Sequence, residues 1–164
     1  MARGCTTSEI EAKFETICSQ FKPDAIFVDY LQLMSPSNGA TGSDWQDVGK
    51  VSEELHEFCR KKDIPVITAA QRKAGAKKSN GKKHEDNIDL EDLGRSKMIG
   101  DNATVVMLIA KREDELLRED IEIHVVKNRD GAKGKVNLLK RFDQSRIETL
   151  PDGWAQDSGD ENDF

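Results

Sequence analysis

Apolar positions in the first third of the chain recur with the period of a helix. Thr6 to Glu9 has the form of a capping box, and Ile10, Phe14, Ile17, Cys18 and Phe21 then fall on one helical face ahead of Pro23. The pattern changes at Ala25 to Asp29, a continuous apolar run ending in an acid, the signature of a strand buried on both faces of a parallel sheet. A loop rich in Ser, Gly and Pro (Ser35 to Asp44) leads to Val48, Val51, Leu55 and Phe58, a second amphipathic helix closing on Arg60, Lys61 and Lys62. Ile64 to Ala69 reads as the next buried strand. Leu90 to Ile99 reads as a short helix or turn, and Thr104 to Ala110 as a strand. Ile121 to Lys127 and Lys135 to Phe142 flank the turn sequence NRDGAKG, which is a hairpin signal, and Arg146 to Leu150 reads as a last edge strand. Strand and helix alternate first and strands follow alone, so an α/β fold with a mostly parallel sheet and an antiparallel hairpin edge is expected.

Composition narrows the class. The chain has 164 residues, of which 36% are hydrophobic and 5% aromatic, enough for one soluble domain. No apolar run approaches the length of a membrane span. Three cysteines (Cys5, Cys18, Cys59) are too few and odd in number for a disulfide framework, and MARGCTTSE lacks the apolar core of a secretory signal. A reduced, cytoplasmic setting is expected. The formal charge of −6 is concentrated in residues 152–164, which hold five acids and no Lys or Arg, leaving a body near −1. Arg72 to Lys83 holds six basic residues and no acid. This stretch is either a solvated loop or a surface that meets phosphates, and its lack of aromatics disfavours base stacking.

Open α/β sheets gather ligands at the carboxyl ends of their strands. The residues there are Asp29, Gln71, Lys127 and Arg129. An acid at a strand end either caps the following turn or holds Mg²⁺ through water beside a nucleotide phosphate. Gln71 either senses a phosphate or satisfies backbone groups in its turn.

FVDYLQLM (Phe27 to Met34), PVITAAQ (Pro65 to Gln71), DLGRSKMIGDNATVVMLI (Asp92 to Ile109) and VVKNRDGAKGKVNLL (Val125 to Leu139) occur in this order. Over roughly residues 10–150 the series resembles the carboxy-terminal RecA-like motor of DnaB-type replicative ring helicases, including their phage relatives. The resemblance implies a three-layer RecA-like fold and an ATP-driven, hexameric DNA helicase, phage-encoded and acting in the host cytoplasm. It gives Asp29 the Walker B role of supporting Mg²⁺ on ATP, through water. Gln71 matches the residue that links the γ-phosphate to the DNA-binding loop. Lys127 and Arg129 match the basic pair reaching a neighbouring subunit's nucleotide, with Arg129 as arginine finger. Asp92 to Lys97 matches a pore loop on single-stranded DNA, although Gly94, Arg95 and Lys97 depart from the family's usual order there. Arg95, Ser96 and Lys97, with Arg72, Lys73, Lys77 and Lys78 of the basic stretch, are the expected phosphate contacts.

The 164 residues contain no GxxxxGK[ST]: the Gly-Lys pairs at Gly49, Gly81 and Gly134 have neither a Gly five places earlier nor a Ser or Thr after the Lys. In the family that phosphate loop lies upstream of the Asp29 strand. The chain is therefore expected to be the distal part of a motor (residues 1–150), incomplete on its N-terminal side and inactive without its missing half. Absence of the strand that enters the phosphate loop is expected to leave strand edges open and solubility poor. Residues 151–164 are expected to form a disordered acidic tail, either merely solubilising or recruiting a primase, polymerase or other replisome protein. A non-catalytic RecA-like module that binds single-stranded DNA or assists ring assembly is the alternative function.

Overall fold

Thr6 opens the first helix, α1 (Thr7–Cys18), in extended backbone. Its hydroxyl accepts from the Glu9 N–H at 3.3 Å, and the Glu9 carboxylate accepts from the Thr6 N–H at 2.8 Å. The capping box expected from sequence is thus complete. The computed structural model describes residues 4–71, 97–109 and 120–150. They fall into two compact units divided after Val106.

In the first unit, α1 gives way at Ser19 to a turn in which the Gln20 and Phe21 N–H groups both donate to the Ile17 carbonyl. Phe21 consequently lies outside the helix and is 61% exposed, where the apolar spacing had placed it on the buried face. Strand β1 (Ile26–Val28) pairs in parallel with β2 (Val66–Thr68), in the register Ile26 to Val66 and Val28 to Thr68. Between them runs α2 (Asp44–Lys62), which ends at Asp63 in the left-handed conformation with Arg60, Lys61 and Lys62 in its last turn. Its apolar stripe forms the core: Val51, Leu55 and Phe58 are at most 4% exposed and cluster with Ile10, Val28 and Leu31. Phe14 meets Phe58 edge to face, the ring centres 5.6 Å apart.

Helix α3 (Lys97–Asn102) includes the last residues of the stretch expected as a short helix or turn, residues 90–96 of which lie outside the described residues, and docks on α2. A Cβ on Gly49 would lie 2.8 Å from Met98 Sδ, so the absence of a side chain there makes the notch that Met98 fills. Asn102 adds a hydrogen bond to the Ser52 hydroxyl at 3.4 Å.

β1 and β2 do not have both faces buried. Val28 points into the core at 3% exposure, while Phe27 and Ile67, on the opposite side of the alternation, are 73% and 48% exposed. A continuous apolar run cannot show which of its faces is covered, and α1 and α2 supply cover for one.

The other sheet has the order β3 (Val105–Ile109), β4 (Asp120–Asn128), β5 (Gly134–Arg141), β6 (Arg146–Thr149). β4, β5 and β6 pair antiparallel as the hairpin signal predicts, with His124 opposite Lys135 and Leu139 opposite both Asp120 and Glu148. β3 alternates, leaving Val105, Met107 and Ile109 between 43% and 62% exposed. Residues 151–164, the expected tail, lie outside the described residues.

Ion pairs join α1 to the end of α2. Lys61 Nζ donates to Glu11 at 2.7 Å, and Lys62 contacts both Glu11 and Glu15. Hydrogen bonds from the Thr6 N–H, the Lys61 ammonium and the Thr41 hydroxyl hold the Glu9, Glu11 and Asp47 carboxyls below their ordinary ranges, in that order. The Glu15 carboxylate raises Lys62. Depressed acids add stability at neutral pH that disappears as pH falls through their folded values, and a raised lysine adds stability that disappears as pH rises through its own. Thermal melts followed by circular dichroism should therefore decline on acidification below 4.5 and again on alkalinisation above 10.5. Thr6→Ala should lower stability at neutral pH by about 1 kcal/mol, as expected for a lost N-cap, and leave most of the acid decline in place, because the backbone N–H that holds Glu9 is retained.

Candidate functional site

Because β1 and β2 are parallel, both strands release the chain at the same end. The pairing does not stop with the strands. The Ile26 N–H donates to the Pro65 carbonyl at one end, and the Leu31 N–H donates to the Ala69 carbonyl beyond the other, each at 3.0 Å. The Thr68 hydroxyl donates to the Val28 carbonyl at 2.8 Å. Further on, the Gln32 side chain takes over: its Nε2 donates to the Gln71 carbonyl at 3.1 Å, and its Oε1 accepts from the Gln71 N–H at 3.3 Å.

Asp29 directly follows β1 and is exposed, as is Gln71 three residues beyond β2. The Asp29–Tyr30 peptide bond is cis. A single 3-10 turn, Leu31–Leu33, follows. Leu31 and Met34, 1% and 7% exposed, fix it in the core. The loop after it is tied to α2: Ser37 donates to Glu54 from both its N–H (3.0 Å) and hydroxyl (2.8 Å), and Thr41 does the same to Asp47 (2.8 and 2.7 Å). Rigid backbone thus carries a carboxylate and a carboxamide on adjoining segments at the carboxyl end of the parallel pair, where open α/β sheets hold their ligands.

Asp29 offers one carboxylate, and among the described residues no three His, Cys, Asp or Glu side chains gather as a metal cage. One strand-end carboxylate suits Mg²⁺, which keeps several waters and takes one or two carboxylates beside phosphate oxygens. Asp29 therefore fits the ion that the sequence implies.

Lys127 and Arg129 belong to the second unit, at the carboxyl end of β4, Lys127 half-buried on the strand and Arg129 exposed in the hairpin turn. The turn is closed by Asn128 Nδ2 donating to the Ala132 carbonyl at 3.2 Å. A Cβ on Gly131 would come within 2.5 Å of that Nδ2, which explains the glycine. The face of β4 opposite to Lys127 carries His124, 4% exposed, in contact with the Glu122 carboxylate, and Lys135 Nζ lies 3.8 Å from the same carboxylate.

Sequence reasoning missed this buried polar group and missed Gln32. The first left no local pattern, whereas Gln32 stood inside the quoted DYLQLM. Of the expected DNA contacts, Arg72, Lys73, Lys77, Lys78, Arg95 and Ser96 lie outside the described residues, and only the backbone of Lys97, at the start of α3, is described.

The family model of the DnaB-like helicase C-terminal domain matches residues 2–149. The chain belongs to that family. It is 30% identical to the replicative DNA helicase DnaC of Bacillus subtilis over 88% of its own length and 34% of that protein's. It is 29% identical to the replicative DNA helicase DnaB of Mycoplasma pneumoniae over 92% of its length and 34% of that protein's. The DnaB-like chain thus spans about a third of these relatives. Among solved structures, a DnaB-like replicative helicase studied for its interactions with primase superposes with a TM-score of 0.74 at 22% identity, covering 90% of this chain and 36% of that one. A second solved structure, an ATPase domain, gives 0.75, also at 22% identity, over 90% of this chain and 52% of that one. These likenesses establish the RecA-like α/β fold expected from sequence.

In this DnaB-like chain, Gly131→Ala should displace the Asn128 carboxamide from Ala132 and loosen the turn by about 1 kcal/mol, the net worth of one hydrogen bond. Amide exchange across residues 128–134 should accelerate accordingly, while helical circular dichroism stays unchanged.

Proposed function

We propose that the chain is part of an ATP-driven replicative DNA helicase motor that works as a hexameric ring on single-stranded DNA. The observation that carries this reading is the parallel β1–β2 pair delivering Asp29 and Gln71 together, in a chain that matches the DnaB-like family over residues 2–149. In this reading Asp29 holds Mg²⁺ through water on ATP. Gln71 meets the γ-phosphate and links it to the basic segment that begins at Arg72, where Arg72, Lys73, Lys77, Lys78, Arg95, Ser96 and Lys97 follow the DNA backbone. Lys127 and Arg129 serve a neighbouring subunit's nucleotide, where the Arg129 guanidinium neutralises charge developing on the transferring phosphoryl. A primase is a candidate partner, since one structural neighbour is a replicative helicase studied for its interactions with primase, and the acidic residues 152–164 are the candidate contact.

These 164 residues hold no GxxxxGK[ST], the phosphate-cradling loop that ATP turnover in this reading requires. The same observation favours a second reading, a non-catalytic module that binds single-stranded DNA or assists ring assembly. The two readings separate on turnover: only the motor hydrolyses ATP when a phosphate-cradling loop is present.

The test is steady-state ATP hydrolysis by the purified chain with and without single-stranded DNA, with Arg129→Ala as control and folding checked by circular dichroism. The expected result is no turnover from folded protein, together with binding of an oligothymidylate whose affinity falls steeply with salt, the log–log slope being about −0.7 for each phosphate neutralised. DNA-stimulated turnover lost in Arg129→Ala would show that these residues build a complete phosphate site after all. Folded protein that ignores oligothymidylate at low salt would remove DNA from the proposal.

A further inference from the structure

A carboxamide carries a donor and an acceptor side by side, arranged to match a peptide's C=O and N–H together. Gln32 uses both on a single residue, donating to the Gln71 carbonyl at 3.1 Å and accepting from the Gln71 N–H at 3.3 Å. It does so beyond the last main-chain rung, from Leu31 to Ala69, where the two segments would otherwise separate. Gln32 is itself held, because its neighbour Leu31 is 1% exposed and the Met34 N–H closes the turn on the Leu31 carbonyl at 3.0 Å.

We propose that Gln32 is a positioning residue that pins the Gln71 backbone to the segment carrying Asp29, so that the metal-holding acid and the phosphate-sensing amide keep one fixed spacing. The inference rests on the reading of Asp29 and Gln71 as phosphate-facing. Its physical content is that Gln71 cannot move with a phosphate independently of the Asp29 segment unless both Gln32 hydrogen bonds break. A shorter Asn would not reach, and a Glu would keep an acceptor for the N–H while losing the donor to the carbonyl.

The test uses NMR on the whole 164-residue chain as wild type, Gln32→Ala, Gln32→Glu and Gln71→Ala. Gln32→Ala should accelerate exchange of the Gln71 amide roughly five- to tenfold, the factor carried by one hydrogen bond of ordinary net strength, while Gln32→Glu should leave it near wild type. Circular dichroism should show both variants folded, since the contact is exposed. Titration with Mg²⁺ and ATP, carried to millimolar concentration to offset the affinity lost without a phosphate-cradling loop, should shift the Asp29 and Gln71 side-chain signals in the wild type. The Gln71 shift should shrink in both Gln32 variants, and Gln32→Ala should add nothing at Asp29 in a Gln71→Ala background, as expected for residues acting through one another. Unchanged Gln71 exchange in Gln32→Ala, or an undiminished Gln71 shift in both variants, would overturn the role of Gln32. A wild type in which neither Asp29 nor Gln71 responds to nucleotide would overturn the phosphate-facing reading and this inference with it, a failure that the exchange data distinguish from loss of the contact.

Discussion

The parallel pairing of β1 with β2 is the constraint from which the first unit is built. Two parallel strands cannot be joined by a tight turn and need a long crossover, which α2 provides. The crossover helix then covers the face bearing Val28, and its own buried stripe of Val51, Leu55 and Phe58 completes the core. With both strands released at one end, the polar residues that follow them are collected there without any separate device. The Thr68 hydroxyl and the Leu31 N–H extend the pairing past the strands, so the carboxyl end is tied together as the ladder is.

Much of this was written locally in the sequence. Thr6 and Glu9 announced their helix because a capping box needs only four consecutive residues, and the β4–β5 hairpin announced itself through its turn. The polar residues at the strand ends were legible as well, since apolar runs end visibly. What the sequence did not reveal depends on neighbours distant along the chain. The apolar run around Phe27 looked the same whether one face or both were covered, and only the packing of α2 decided which. The seat of helix α3 is a distant glycine notch at Gly49. Gln32 was visible as part of a motif, yet its partner lies 39 residues on, a pairing no periodicity encodes.

The loop between β1 and α2 shows how a Gly- and Ser-rich segment becomes a fixed part of the site. Ser37 and Thr41 each present two donors to a single α2 carboxylate, so Asp47, in the helix's first turn, serves the loop as well as the helix dipole. Ser43, at the N-cap position, makes no side-chain cap bond. The polar partners at this end of the helix are therefore the loop's Thr41 N–H and hydroxyl on Asp47.

The buried His124 and its partner Glu122 give the hairpin a property of a different kind. Side chains alternate along β4, so the face carrying this polar pair is opposite to the face carrying Lys127. A slip of one residue against β5 would turn both sets over at once, taking His124 and Glu122 from their shelter and reversing the direction in which the strand's last cation points. Mispairing here has no graded form. The polar pair acts as a tooth in a ratchet: a hairpin in register keeps Lys127 on the face opposite to the pair, and one out of register turns both over.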